Sequence, residues 1–225
     1  MKISIIIPVL NEAENISRLI EMLCGLRGEK EILFVDGGSD DGTATRIPAA
    51  YRVLKSQRGR GIQMNAGAQC ASGEILLFLH GDTHLDRDAL EQIIEKGISR
   101  DYAAGCFSLT FDREGFLLKM IAFLSNMRVK TTKIMFGDQG IFVKREIFEE
   151  LGGFLDIPLM EDLEFSRRLK RRGRIIQLKT PITTSARRFE RMGTLKTILL
   201  MHKLKILYFL GETPEKLQAL YRNVR

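Results

Sequence analysis

The chain has 225 residues, 44% of them hydrophobic, and a formal net charge of +7, so it can bury a full core in one domain, and its basic surplus suits a phosphate-bearing partner. No run of roughly 18 uncharged apolar residues occurs, which argues against a membrane-spanning helix. Cys24, Cys70 and Cys106 are widely spaced and odd in number, which predicts buried thiols in a reducing, cytoplasmic compartment rather than disulfides or a zinc site.

Strands and helices are predicted to alternate over residues 1–100. Apolar, β-rich runs predict strands at 2–9, 31–35, 51–54 and 74–79. Apolar residues at helical spacing predict helices at 12–26, 62–70 and 86–98. The opening run is assigned to a strand rather than to a signal sequence, because it ends at Pro8 and polar residues follow it without a cleavage site. This alternation predicts a parallel, doubly wound α/β sheet.

The second half of the chain is predicted to mix the two types of element. Strands are predicted at 104–111, 140–143, 174–178 and 183–186. Helices are predicted at 116–127, 161–172, 195–210 and 214–221. The segment 193–211 interleaves Lys196, Lys203 and Lys205 with apolar residues. This pattern leaves three partners open, namely the core of the chain, a second copy in a homodimer, and a membrane interface.

Polar residues follow the predicted strands of the first half. The clusters are Pro8–Glu12, Asp36–Thr43, Arg58–Gly61 and His80–Thr83. Each cluster alone is typical of an ordinary turn. Open α/β sheets, however, bind ligands at the carboxyl ends of their strands, and these clusters are all expected at that edge. Their convergence predicts a binding site.

Several nucleotide and metal sites are excluded by motif. No G-x-G-x-x-G follows a strand into a helix with an acid downstream, so a dinucleotide cofactor is not expected. No G-x-x-x-x-G-K-[ST] phosphate loop occurs either. The loop DGGSDDGT is not a calcium loop, because Asp41 occupies the position that requires glycine and Ile47 the position that requires glutamate.

In order and spacing, six segments resemble glycosyltransferase family 2 over residues 2 to about 178: IPVLNEAENI, VDGGSDDGT, RGRGIQMNAG, GDT, GDQGIFVKR and LMEDLEFSRRLKRRG. The strand end His80-Gly-Asp82-Thr83 is similar to that of a small bacterial branch whose motif reads His-x-Asp-Thr. The resemblance implies a GT-A fold, an α/β architecture with a Rossmann-like, mostly parallel central sheet flanked by helices and with C-terminal helices. It also implies an inverting glycosyltransferase that uses a nucleotide-diphosphate sugar, UDP being favoured over GDP, and Mg²⁺ or Mn²⁺.

The same resemblance implies how the chain is divided. One GT-A domain is expected over residues 1–192, followed by a C-terminal helical extension at 193–225. Within the domain, residues 1–100 are expected to bind the nucleotide sugar and residues 101–192 to bind the acceptor. Neither the sugar nor the acceptor is predicted.

The resemblance assigns the donor side to Pro8, Asn11, Glu12, Asp36, Arg60, His80 and Asp82. Asp82 is expected to hold the metal, because a hard cation on oxygen ligands neutralises a departing diphosphate. His80 stands where many relatives have a first metal-motif aspartate, and Gly37 where many have a second aspartate near the base. His84 and His202 stay open as further metal contacts.

On the acceptor side, Glu161 and Asp162 open a predicted helix. Acids at a helix N-terminus are common in any protein, but one of these could also be the general base of an inverting transfer. The resemblance makes Asp162 the base, with Glu161 as the second choice, and places Asp138 and Gln139 at the acceptor pocket. Inversion needs no covalent nucleophile, which agrees with the absence of a Ser/His/Asp pattern.

The sequence argues against two other functions and leaves a third open. A nucleotidyltransferase would need a glycine-rich basic signature that IPVLNEAE lacks. A nucleic-acid binder is not expected, because the basic residues are not interleaved with aromatic residues in a recognisable module. A catalytically inactive sugar-nucleotide binding module, suggested by His80 in place of a carboxylate, stays open.

Overall fold

The computed structural model describes residues 1–98 and 102–222, and within these ranges one sheet of eight strands forms the centre of the molecule. The strands are β1 (Ile3–Val9), β2 (Lys30–Asp36), β3 (Arg52–Lys55), β4 (Ile75–Phe78), β5 (Thr83–Leu85), β6 (Tyr102–Phe111), β7 (Ile141–Lys144) and β8 (Arg174–Thr184). Their order is β3-β2-β1-β4-β7-β6-β8-β5. The first four are parallel neighbours, and β6 is parallel to β8, whereas β7 and β5 run antiparallel to their neighbours. The predicted mixed α/β fold with a mostly parallel sheet is confirmed.

Helices cover both faces of this sheet. They are α1 (Ile16–Gly25), α2 (Thr43–Arg46), α3 (Arg60–Cys70), α4 (Ala89–Gln92), α5 (Phe116–Thr132), α6 (Arg145–Glu150), α7 (Glu161–Leu169), α8 (Arg187–Met192), α9 (Thr194–Phe209) and α10 (Pro214–Arg222). A single π-helical turn, Ile93–Gly97, extends α4, and a 3₁₀ turn spans Gly137–Gln139. The short helices α2, α6 and α8 were not predicted, because fewer than two turns show no apolar period.

The core has two layers, one on each side of the sheet. Ile5 and Ile7 of β1 point into the layer that α1 covers, together with Leu23. Ile6 points the other way, into the layer that α3 and α7 cover, together with Met64 and Phe165. Because β1 is buried on both faces, its sequence reads as a continuous apolar run rather than an alternating one, as expected for a central parallel strand.

Two predictions about local structure are wrong. The strands expected at 174–178 and 183–186 form one strand, β8. Its register against β6 shifts between Cys106 and Ser108, and this irregularity accommodates the residues between the two predicted strands without ending β8. The prediction of buried thiols fails for Cys24, which is exposed on α1, although Cys106 is buried and all three cysteines are free.

The C-terminal helices α9 and α10 pack on the domain. Leu204 of α9 and Leu217 of α10 form a buried cluster with Leu159, Met160 and Leu163, around the start of α7. This contact bears out core packing as one role of the extension. No helix within residues 1–98 and 102–222 is long and apolar enough to cross a membrane.

Gly67→Ala in α3 is expected to destabilise the protein by about 1–3 kcal/mol, because overpacking a close helix–sheet contact forces its neighbours apart. A Cβ at this position would lie 2.4 Å from Ile6 Cγ2 and 3.0 Å from Val35 Cγ2. Gly25→Ala in α1 is the matched control. A Cβ there meets nothing within 4 Å, so stability should rise by about 0.4–1 kcal/mol. Urea denaturation measures both values, and equal effects would contradict the close packing of α3.

Candidate functional site

The loops that follow β1 and β2 are tied together by Asn11. Its backbone lies in the left-handed region with φ 56°, an uncommon conformation for a residue other than glycine. Its N–H donates to Ser39 Oγ at 3.0 Å, and its Oδ1 accepts the Asp40 N–H at 3.0 Å. Such strained residues persist where the surroundings fix them, often at functional sites. Asn11 therefore holds the two loops in one arrangement at the carboxyl edge of the sheet, just beyond Pro8.

Asp36, at the end of β2, uses its carboxylate to shape its own loop. It is only 5% exposed, and its Oδ1 accepts the Ser39 N–H at 3.1 Å and also the Ser39 hydroxyl. The contacts of this carboxylate are thus internal. Asp36 is buried at the carboxyl end of β2, and its role on the donor side stays a prediction.

Gln63 of α3 joins the ends of the two strands. It is 3% exposed, and its Nε2 donates to the carbonyl oxygens of Val9 at 2.9 Å and Val35 at 2.8 Å. A Cβ at Gly37 would lie 3.0 Å from the Gln63 amide group. Gly37, which stands where many relatives have a second aspartate, therefore leaves room for the buried amide of Gln63. No motif singles out Gln63, since a glutamine on a helix is usually exposed.

Glu12 and Asp82 share one arginine. Arg187 Nη2 lies 2.9 Å from both carboxylate oxygens of Glu12 and 3.5 Å from Asp82 Oδ2. Burial alone would lower the pKa of the Arg187 guanidinium, but Glu12 and Asp82 raise it above its ordinary value. Two carboxylates of the predicted donor side therefore converge on one cationic side chain. The only sequence signal for Arg187 is an arginine pair just after a strand.

His80, at the end of β4, packs against the 3₁₀ turn of the acceptor side. A Cβ at Gly137 would lie 2.6 Å from His80 Nε2, so only glycine leaves room for the imidazole. Burial, reinforced by the charges of Arg60 and Arg188 and opposed by Asp162, lowers the pKa of His80 to about 3. The imidazole is therefore neutral at physiological pH, unlike the carboxylate that many relatives have there.

Glu161, the first residue of α7, is buried against Arg60. It is 2% exposed, and its Oε1 lies 2.8 Å from Arg60 Nε, while its Oε2 is buried with no hydrogen-bond partner. Burial raises the pKa of Glu161, and the charge of Arg60 opposes that rise. Met160, just before it, has a left-handed backbone with φ 70°. This strained turn directs the acidic pair towards the edge of the sheet.

Asp162 lies next to the same 3₁₀ turn as His80. Its Oδ2 accepts the Gly137 N–H at 2.8 Å, and its Oδ1 accepts the Leu163 N–H at 2.7 Å. Because Gly137 contacts both side chains, the predicted base lies beside the strand end that carries Asp82. The structure thus brings the predicted donor and acceptor sides together.

The two residues predicted at the acceptor pocket differ in their surroundings. Gln139 is fully buried, and its Oε1 accepts a hydrogen bond from Arg128 Nη2 at 2.7 Å. Asp138 is partly buried, and its Oδ1 has no hydrogen-bond partner. Burial raises the pKa of Asp138, and Arg128 opposes the rise. Of the pair, Asp138 is the one with an unused polar atom.

The two histidines left open as metal contacts are not brought to Asp82 as a cluster. His84 is exposed in β5, opposite Thr183, and His202 is exposed on α9. Within residues 1–98 and 102–222, no three histidine, cysteine or acidic side chains are grouped so as to hold a metal ion. Mg²⁺ is usually bound by only one or two carboxylates together with substrate phosphates and water, so Asp82 and Glu12 fit that mode of binding.

Residues 4–152 match the family model described as glycosyl transferase family 2. The chain belongs to this family. Among curated relatives, glycosyltransferase AglE of Haloferax volcanii is 30% identical in a 168-residue alignment that covers 68% of this chain and 55% of AglE. Poly-beta-1,6-N-acetyl-D-glucosamine synthase of Staphylococcus aureus is 31% identical in a 104-residue alignment that covers 41% of this chain and 24% of the synthase. The chain thus spans about half of AglE and a quarter of the synthase.

Solved structures of glycosyltransferases confirm the GT-A fold. TarS 1–349 of S. aureus, in complex with UDP-GlcNAc, superposes with a TM-score of 0.65 at 20% identity, covering 82% of this chain and 58% of TarS. The mannosyltransferase PcManGT of Pyrobaculum calidifontis, in complex with GDP-Man and Mn²⁺, superposes with a TM-score of 0.64 at 21% identity, covering 97% of this chain and 67% of PcManGT. At these identities the likeness concerns the fold alone.

Arg60→Gln is expected to destabilise the protein more at high pH than at low pH. The pKa of Glu161 is raised above its ordinary value, so the folded chain keeps a proton that the unfolded chain has lost, and stability falls as pH rises through that range. Loss of Arg60 raises the pKa of Glu161 further, so the pH range over which stability falls extends to higher pH. In urea denaturation at pH 8.5, the variant should lose about 1–2 kcal/mol of its free energy of unfolding. This is less than the loss expected for a fully buried ion pair, because the Arg60 side chain is 40% exposed.

The double variant Arg60→Gln/Glu161→Gln is the control, since it replaces both charges with amides. It should recover much of the lost stability and show little of the extra loss at high pH. If Arg60→Gln loses the same stability at pH 5.5 and at pH 8.5, then Glu161 is not a buried carboxylate that depends on Arg60 for its compensation.

Proposed function

We propose that the chain is an inverting glycosyltransferase that moves a sugar from a nucleotide-diphosphate sugar to an acceptor hydroxyl, with the help of a divalent metal. The observation that carries this proposal is the meeting of the two sides at Gly137. The carboxylate of Asp162 and the imidazole of His80 both contact this residue, and His80 shares its strand end with Asp82. Under this proposal, the carboxylate that would take the acceptor proton lies near the strand end whose Asp82 would serve the donor diphosphate.

On the donor side, Asp82 and Glu12 would hold Mg²⁺ or Mn²⁺, which neutralises charge on the diphosphate when it is bound. Arg187 occupies the space between these carboxylates. Its weaker contact, at 3.5 Å, is with Asp82, so this contact would be the one to yield. The guanidinium would then stay on Glu12, close enough to support the diphosphate as a second cation.

On the acceptor side, the hydroxyl oxygen attacks the anomeric carbon while the bond from that carbon to the diphosphate oxygen breaks. The electron pair of that bond leaves with the nucleoside diphosphate, and the hydroxyl proton passes to the Asp162 carboxylate. One displacement of this kind inverts the anomeric centre and needs no covalent intermediate. Arg60, half exposed above buried Glu161, adds positive charge near the departing phosphates.

UDP is proposed as the nucleotide in preference to GDP. Proteins of the same fold have been solved with UDP-GlcNAc, as in TarS, and with GDP-Man and Mn²⁺, as in PcManGT, so GDP is the comparison ligand and a divalent metal is included. The free thiols of Cys24, Cys70 and Cys106 support a cytoplasmic site. A nucleic acid is not proposed as a partner.

The second candidate is a catalytically inactive sugar-nucleotide binding module. His80 favours it, because a neutral imidazole replaces a carboxylate of the usual metal motif. The two candidate functions are distinguished by a donor-hydrolysis assay with a panel of nucleotide sugars. Transfer to water in the presence of Mn²⁺ supports the enzyme, whereas metal-dependent binding without any turnover supports the module.

Asp82→Asn and Asp162→Asn are expected to fail in different ways. Positioned general bases contribute about a hundredfold to ten-thousandfold in rate, so Asp162→Asn should lower turnover by that factor and leave donor binding nearly unchanged. Asp82→Asn should weaken donor binding as well as turnover. Calorimetry and the hydrolysis assay measure the two quantities. Asp156→Asn, an exposed aspartate outside the site, is the control. Equal losses of donor affinity in both site variants would contradict their separate roles.

Nucleotide binding is expected to depend on metal through Asp82. A ligand that binds only the folded chain stabilises it by about 2.7 kcal/mol at one hundred times its dissociation constant. UDP with Mn²⁺ should therefore raise the melting temperature more than UDP and Mn²⁺ do separately, and Asp82→Asn should remove that excess. Differential scanning fluorimetry with UDP and GDP in parallel measures it. An excess that survives in Asp82→Asn would place the metal elsewhere.

A further inference from the structure

Helix α5 leaves one apolar face uncovered. Phe116 is 82% exposed and Phe123 62%, and four further large apolar side chains on the same face are at least 37% exposed: Leu117, Met120, Leu124 and Met127. Their spacing of three and four residues places them on one side of the helix. The opposite side, with Leu118 and Val129, packs on the domain. Large exposed apolar faces of this kind usually mark an interaction surface.

Helix α9 leaves a second apolar face uncovered. Its exposed residues are Leu195 at 62%, Leu199 at 61%, Ile206 at 59% and Phe209 at 64%, with Leu210 just beyond its end at 76%. These too recur at helical spacing. The opposite side contributes Leu204 to the buried cluster around the start of α7, so the exposed face is not needed for that packing.

Helices α5 and α9 both reach Phe136 through a basic side chain. Arg128 of α5 lies over its ring, with Cζ 3.9 Å from the centroid, and Lys205 of α9 lies over the same ring, with Nζ 5.5 Å from the centroid. One aromatic ring thus contacts a side chain from each helix. We call the exposed apolar residues of α5 and of α9, with Leu210, the apolar surface.

Basic residues predominate around the apolar surface, although Glu114 lies 3.7 Å from Lys119 at the start of α5. The segments 115–137 and 191–211 contain no aspartate or glutamate. They carry exposed lysines at positions 119, 130 and 133 and at positions 196 and 203. Protein–protein interfaces are depleted in lysine, whereas helices that lie on membranes combine lysines with phenylalanine and leucine. Lysines next to such a face attract anionic headgroups.

We propose that α5 and α9 together form a docking surface for an anionic lipid bilayer. The apolar side chains enter the boundary between headgroups and acyl chains, and the surrounding lysines contact the headgroups. Phe136 lies immediately before the turn that carries Gly137 and Asp138. The docked surface therefore adjoins the acceptor side of the site. This proposal stands on exposed side chains and charge, and does not depend on the transfer reaction.

The test is co-sedimentation of the full chain with vesicles of phosphatidylcholine, with and without phosphatidylglycerol. Binding is expected for the anionic vesicles, and it should weaken as salt is raised. Phe123→Ser/Leu199→Ser removes one large apolar side chain from each helix and should lower the partition coefficient about tenfold or more. Lys196→Gln/Lys203→Gln should weaken binding to the anionic vesicles and lose part of the salt dependence.

Leu155→Ser is the matched control, because Leu155 is 45% exposed but lies outside both helices. It should bind vesicles as the natural chain does. Thermal unfolding and UDP binding of each variant show whether the fold and the donor site are intact. Failure of the full chain to bind anionic vesicles at low salt would overturn the proposal. So would unchanged binding by folded Phe123→Ser/Leu199→Ser, or a dimer in light scattering that this variant converts to monomer without any vesicle binding.

Discussion

The site depends on holding several carboxylates close together at one edge of the sheet. Glu12 and Asp82 would repel each other without Arg187, and buried Glu161 would be unpaired without Arg60. A buried charge without a partner is costly, so each arginine stabilises the fold as well as being placed to serve a ligand. A bound nucleotide and metal would take over part of the same electrostatic balance. The resting ion pairs and the proposed chemistry therefore use the same charges.

Helix α3 links this electrostatic arrangement to the backbone. Its first residue is Arg60, and its third turn packs so closely on β1 and β2 that Gly67 leaves no room for a side chain. Between them, Gln63 donates hydrogen bonds to the carbonyl groups of Val9, the last residue of β1, and Val35, the last but one of β2. Gly61 shows the same closeness on the other side, since a Cβ there would lie 2.8 Å from the Leu155 carbonyl oxygen. Close backbone approach is thus what places Arg60 against Glu161.

Much of this arrangement was predictable from sequence, because it rests on local patterns. The continuous apolar run of β1 and the polar residues after β1, β2 and β4 predict both the sheet and the edge at which the site lies. Arg187 was not predictable, since it lies 175 residues from Glu12 and 105 residues from Asp82, and its six-residue helix has no apolar period. The exposure of Cys24 depends on which side of α1 the thiol faces. Periodicity does not settle this for a residue at the end of a helix.

The proposed function requires that the donor diphosphate and its metal bind at Asp82, beside Asp162. A crystal structure of the chain with UDP and Mn²⁺ would show whether they do. We expect Mn²⁺ between the Asp82 carboxylate and the diphosphate, with Arg187 moved away from Asp82, and the nucleoside against the loops after β1 and β2. Mn²⁺ bound instead by Glu161 and Asp162, or a nucleotide bound away from the carboxyl edge of the sheet, would contradict it.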